Sequence, residues 1–218
     1  MDNNVLNKNS DSGIILGFDD YFPEMWQDCF SLFAKYNARV VFYVMLSVPT
    51  PFCFEAQKIG HEIAYHTKTH PNLSEVTEEV FFEETLSCIN AFRERGIALK
   101  TFAYPFGVYK PCMNEKLLQH YCFVRGVGSF SIYDKTDLKN GFVDSLSIDN
   151  ITYKQDIDFE NGITQILQKV KAKNNSVTVL ISHAINTNDW AIRKDRLEFI
   201  LQKCHELGLQ FYTYQDFQ

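Results

Sequence analysis

The sequence predicts an α/β fold of repeated strand–helix units within one domain, closed into a barrel or laid out as an open parallel sheet. Three observations lead there. Continuous apolar runs such as Gly13–Phe18 (GIILGF), Val40–Leu46 (VVFYVML) and Val177–Ile181 (VTVLI) mark strands buried on both faces. Helical periodicity fills the stretches between runs, giving roughly seven or eight alternations with no internal linker or low-complexity segment. Chemistry-bearing residues follow the runs at once, and both architectures place their sites at the carboxyl ends of parallel strands.

Taken in order, Gly13–Phe18 is the first strand and Asp19-Asp20 ends it. Pro23 and Glu24 suit a helix's first turn, Met25, Cys29, Leu32, Phe33 and Tyr36 repeat at helical spacing, and Asn37 is the stop. Val40–Leu46 is β-branched and aromatic, a second strand. A short helix around Phe54–Ile59 closes at Gly60, and Glu62–Tyr65 forms the third strand. Ser74 or Thr77 caps an acidic-fronted helix that runs to about Arg95 and Gly96. Lys100–Tyr104 reads as a short strand halted by Pro105 and Gly107, Met113–Tyr121 as a helix, and Cys122–Val127 as a strand. Residues 128–140 are polar and irregular. Phe142–Ile148 is a further strand, Phe159–Lys173 a helix and Val177–Ile181 a buried strand. Trp190–Leu207 is helical and Phe211–Tyr214 closes the chain as a strand. The expected organisation is a disordered tail over 1–12 and a single domain over 13–218.

Composition narrows the function. With 45% hydrophobic and 22% charged residues, the 218-residue chain can bury a sizeable core. A net charge of −6, with both signs interspersed, argues against nucleic acid as the partner. No run approaches the ~18–20 apolar residues of a membrane span. The six cysteines form no CxxC pair, so a reduced compartment is expected. With no apolar leader segment in the first twelve residues, the expectation is cytoplasmic.

Four groups stand at strand ends: Asp19-Asp20, His66 and His70 in HTKTH, FAYPFG around Pro105-Phe106-Gly107, and His183. Each alone has an ordinary explanation: a solvated turn, a hydrogen-bonded core histidine or a strand-ending loop. Pro71 turns His70 away from helical backbone, and no glutamate follows His66, so HTKTH is not a helical zinc-protease motif. Two imidazoles in a strand-end loop still leave a divalent ion short of ligands, and the aspartate pair is the obvious donor.

GFDD, HTKTH, FAYPFG and LISHA, in this order and rough spacing, resemble the TFDDG, HSxxH or HTxxH, RxPYG and LxH motifs of the polysaccharide deacetylases with the NodB-homology fold. The resemblance spans Gly13 to about Ile185. It implies a distorted (β/α) barrel of about seven parallel strands that binds one divalent metal and hydrolyses an acetyl group from a carbohydrate. Zinc is the expected ion, with cobalt, nickel or manganese as other candidates. It further implies Asp20, His66 and His70 as metal ligands, Asp19 as base, His183 as general acid and the Phe106 N–H as oxyanion donor beside Pro105. Leu180 and Ile181 would hold the acetyl methyl, and Thr67 would brace the histidine pair. Trp190, in the polar loop past His183, is either a helix-start core residue or a platform for a sugar ring.

Three departures accompany the resemblance, one of them Ala184 where the family's LxHD ends in aspartate. Ala103 stands where the family's commonest form has the arginine that pairs with the catalytic aspartate. The aspartate–tryptophan motif that tunes the acid histidine has no clean match, Asp144 and Asp149 being its candidates. Two rival readings stay open: hydrolysis of another small amide or ester on the same scaffold, and a carbohydrate-binding relic with little turnover.

Overall fold

A computed structural model describes residues 12–138, 141–186 and 189–217. The expected tail lies outside the described residues except for Ser12, which is buried: its hydroxyl accepts from the Ser176 N–H and its carbonyl from the Gln210 N–H.

The chain runs β1 (Gly13–Phe18), α1 (Pro23–Gln27), α2 (Phe30–Lys35), β2 (Val41–Val44), α3 (Pro51–Lys58), β3 (Glu62–Tyr65), α4 (Glu78–Leu86), α5 (Ile89–Arg93) and β4 (Thr101–Ala103). It continues with α6 (Pro111–Leu117), β5 (Phe123–Val127), β6 (Tyr133–Asp134), β7 (Gly141–Ser147), α7 (Asp156–Lys173), β8 (Ser176–Ser182), β9 (Ala184–Ile185), β10 (Ala191–Ile192), α8 (Lys194–Leu207) and β11 (Gln210–Tyr212). Strands β1, β2, β3, β4, β5, β7 and β8 pair in that order, all parallel, and β8 returns to β1 along its whole length, from Gly13↔Val177 to Phe18↔Ser182. The choice between barrel and open sheet is settled by that last pairing. The ring is distorted at one seam: β2 meets only the top of β1 (Gly17↔Val41, Phe18↔Phe42), while β11 takes the same edge lower down, at Gly13–Ile15.

Strand alternation sorts the apolar residues into two cores. Ile15, Val41, Tyr43, Ala64, Ala103, Phe123, Val143, Val179 and Ile181 belong to a cluster inside the barrel. Leu16, Phe18, Phe42, Ile63, Phe102, Val124 and Leu180 belong to the larger layer between sheet and helices. The aromatic residues concentrate in that outer layer, where Trp26 stacks on Phe42 with ring centres 5.0 Å apart.

Several element boundaries differ from expectation. The helix predicted over Pro23–Asn37 is two short helices, each aimed by its own buried anchors, Trp26 in α1 and Leu32 with Phe33 in α2. Asn37, at φ +52°, ends the second as predicted. The helix predicted to reach Arg95 is likewise split, with Thr77 as its cap, its hydroxyl accepting from the Val80 N–H. Helix α8 starts at Lys194 rather than Trp190, because Ala191 and Ile192 instead pair with Ala184 and Ile185 as two-residue strands. All six cysteines are free, and no helix of the described residues is long and apolar enough to cross a membrane.

Candidate metal centre and catalytic site

Asp20 and the two histidines of HTKTH converge at the carboxyl end of the barrel. Asp20 Oδ1 lies 3.6 Å from His66 Nε2 and 3.4 Å from His70 Nε2, and one ligand atom from each residue falls within 4.8 Å of the others. Those separations are too long for good hydrogen bonds. Asp20 Oδ1 is a buried oxygen with no hydrogen-bond partner among the described residues, which is costly unless a cation completes it. Burial raises the Asp20 carboxyl above its ordinary value and pushes His66 down to about 4, so His66 presents the neutral imidazole that a metal requires. The donor set of two imidazoles and one carboxylate therefore fits a divalent ion such as zinc.

The backbone is bent to achieve this. Asp20, Thr67, His70 and Phe106 all have positive φ, between +58° and +75°, a conformation costing non-glycine residues on the order of 1 kcal/mol or more each. The histidine loop is held by its neighbours. The Ala103 carbonyl lies 2.9 Å from His66 Nδ1, which leaves Nε2 for the ion. Thr67 Oγ accepts from the His70 N–H, in line with the bracing role assigned to that hydroxyl. Glu84, buried on α4, accepts from the N–H groups of Lys68 and Thr69 and from Thr69 Oγ at 2.7–2.9 Å. Nothing local in the sequence distinguishes Glu84 among its helix's other glutamates.

Asp19 is buried one residue away. Its Oδ2 sits 2.5 Å from Arg125 Nη2, while Oδ1 has no partner among the described residues. Burial alone would raise its carboxyl, but Arg125, helped by His66 and His183, holds it below the ordinary carboxylate value. Sequence reasoning missed Arg125. The available signal was an arginine inside the apolar run FVRGV, where a buried cation demands a partner.

His183 occupies the far side. Its Nδ1 lies 2.9 Å from Asp149 Oδ2, and Asp149 is fully buried, accepting also from Ser182 Oγ and Ser147 Oγ. Of the two aspartates weighed beside His183, Asp149 is the one bonded to it. Asp144 sits away on β7, its N–H donating to the Tyr133 hydroxyl. Burial would depress His183, but the Asp149 hydrogen bond and the charges of Asp19, Asp149 and Asp20 push it up to about 9. The His183 carbonyl is tied down by the Trp26 indole N–H at 2.9 Å.

The remaining predicted site residues divide. Phe106 is 65% exposed with its ring 4.5 Å from that of His70, and Pro105 is buried beneath it. Trp190 is 59% exposed and stands edge-on to His183 at 6.0 Å, so it belongs to the site's mouth and not to the helix core. Ile181 is buried inside the barrel. Leu180 is a correction: adjacent residues of a strand face opposite ways, and Leu180 packs fully buried in the sheet–helix layer, where no acetyl group can reach it.

The family model described as "Polysaccharide deacetylase" matches residues 7–121, just over half of the chain. That stretch contains Asp19, Asp20, His66, His70 and Phe106 but ends before Arg125, Asp149 and His183. No curated protein sequence matches. Among solved structures, the chain is similar to the chitin deacetylase of Colletotrichum lindemuthianum (TM-score 0.67, 13% identity, covering 96% of this chain and 88% of that one). It is similar to the peptidoglycan deacetylase PdaC of Bacillus subtilis (TM-score 0.64, 14% identity, 96% and 90%). A family 4 carbohydrate esterase of Streptomyces lividans, in complex with acetate, gives TM-score 0.63 at 16% identity, covering 94% and 95%. At such identities the likeness speaks to the fold.

Proposed function

The chain belongs to the polysaccharide deacetylase family, and from that premise we propose that it removes the acetyl group from an acetylated carbohydrate, foremost an N-acetylated amino sugar. The observation that carries this reading is the convergence of the Asp20–His66–His70 donor set with a buried carboxylate, Asp19, and a cationic histidine, His183, at one barrel end. Relatives named for chitin and peptidoglycan support the amino sugar.

Asp20, His66 and His70 would hold the ion. When bound, a divalent cation supplies Lewis-acid chemistry, acidifying a water and polarising the acetyl carbonyl. Asp19, ionised, takes the water's proton through its unpartnered Oδ1. The Phe106 N–H donates to the carbonyl oxygen as it gains negative charge. His183, cationic at neutral pH, keeps Nδ1 on Asp149 and gives its Nε2 proton to the departing amine as the carbon–nitrogen bond breaks. The products are acetate and a free amino sugar.

The test is elemental analysis of the purified protein, together with acetate release from a panel of acetylated sugars with and without chelator. About one ion per chain and chelator-sensitive acetate are expected. Bound metal with no acetate from any sugar would favour another amide or ester as substrate.

A further inference from the structure

Helix α1 is five residues long and buries one of them, Trp26. So short a helix has little stability of its own, and its place is set by where that ring docks. Five aromatic rings cage the indole, their centres 5.0 Å (Phe42), 5.6 Å (Phe52), 6.1 Å (Phe22), 6.3 Å (Tyr21) and 6.4 Å (Phe18) away. Its Nε1–H donates to the His183 carbonyl at 2.9 Å. That carbonyl stands where the sheet stops supplying donors. The Ile148 N–H on the β7 side donates to the Ile181 carbonyl of β8, and the next rung would bring the Asn150 N–H to His183. The Asn150 N–H goes instead to the Ala191 carbonyl, where the chain turns into β9 and β10. A main-chain carbonyl facing an apolar layer needs a donor, and the caged indole supplies it.

The residue is therefore held at three points. The Asp19 N–H donates to the Ser182 carbonyl just before it at 2.9 Å, Trp26 holds its own carbonyl, and Asp149 takes the ring's Nδ1. Asp149 sets how the ring is turned, while Trp26 sets where the main chain carrying that ring stands. We propose that Trp26 is a positioning residue for His183, aiming Nε2 at the atom that leaves. This inference rests on the deacetylase reading of His183. Displacing a reacting group by ~1 Å costs on the order of 10²-fold in rate, so one hydrogen bond on the far side of the strand reaches the chemistry.

The experiment replaces Trp26 in the metal-loaded full chain with benzothienylalanine, which keeps the ring's shape and puts a sulfur where the indole N–H was. Trp26→Phe is the natural-residue counterpart. For each protein, kcat and KM on two substrates, metal content and the denaturation midpoint are read. An N-acetylated sugar releases an amine that must take a proton as the carbon–nitrogen bond breaks, whereas para-nitrophenyl acetate releases a stable aryl oxide that needs none. Loss of the N–H should slow the sugar on the order of 10-fold in kcat, with KM and metal content within about 2-fold. The aryl acetate should stay within about 2-fold. Trp26→Phe should show the same split with a lowered midpoint, because the smaller ring leaves a gap in the cage. Equal losses on both substrates would overturn the proposal, since the indole would then serve the scaffold and not the acid. An unchanged sugar rate in the isosteric variant would overturn it too.

Crystal structures of the parent and the isosteric variant need no turnover. If the parent releases no acetate from any sugar, the deacetylase reading has failed and the His183 ring alone is the judge. Without the indole N–H, its Nδ1 should move beyond about 3.5 Å from Asp149, out of hydrogen-bond reach; a ring that stays in place would overturn the proposal. If neither variant folds, hydrogen exchange at the Trp26 indole of the parent decides. Protection comparable with core amides is expected, and exchange at the rate of a free indole would sink the idea.

Discussion

Asp149→Asn isolates what the buried aspartate does for the acid. In the native site His183 is held at about 9, against an ordinary 6.5. Its strongest support is the Asp149 hydrogen bond at 2.9 Å, which opposes the depressing effect of burial. An amide keeps the shape of the pocket and removes the charge, so burial, the largest effect on His183, is opposed only by the charges of Asp19 and Asp20 and the pKa falls. The acid must be protonated to act, so kcat/KM falls as pH rises through the His183 pKa of the free enzyme. For a fall to the ordinary 6.5, the protonated fraction at pH 8 drops from ~90% to ~3%, a ~30-fold loss, whereas at pH 6 the loss is under ~2-fold. The assay is kcat/KM for acetate release from pH 5.5 to 9.5 in both proteins. A deficit that is the same at every pH would refute the electrostatic account and leave Asp149 with a packing role.

A stability measurement should show the same linkage. His183 has a raised pKa in the folded state, so its stabilising contribution is fully present below about pH 6.5 and is lost as pH rises through about 9. The contribution amounts to about 3 kcal/mol.

Other expectations concern the metal loop, the base and the barrel interior. Asp19→Asn should abolish turnover yet keep the ion, read by elemental analysis; loss of the ion instead would reverse the roles of Asp19 and Asp20. Glu84→Gln, which weakens the three hydrogen bonds holding Lys68 and Thr69, should lower metal affinity by about 10-fold in a chelator competition. Gly17→Ala drives a methyl into the Tyr43 ring and should cost roughly 1–3 kcal/mol in chemical denaturation. An unchanged midpoint would mean that Tyr43 can move aside.

The sequence by itself determined the repeating strand–helix order, most strand positions and the candidate metal donors. Each of these is written in short-range patterns: apolar runs, helical spacing, and ligands placed immediately after a strand. HTKTH and Asp19-Asp20 were legible because the barrel's own topology delivers strand ends to one rim. What only the tertiary structure decided depends on partners far apart in the chain. Barrel closure needs β8 to find β1, and the cation against Asp19 comes from Arg125, 106 residues further along the chain. Asp149, the hydrogen-bond partner of His183, lies 34 residues before it. Face assignment was also beyond the sequence. A strand buried on both sides is apolar at every position, so period-two alternation gives no sign of which residues point inward. That is why Leu180 and Ile181 read alike in the sequence, while in the fold Ile181 faces the barrel interior and Leu180 the helices.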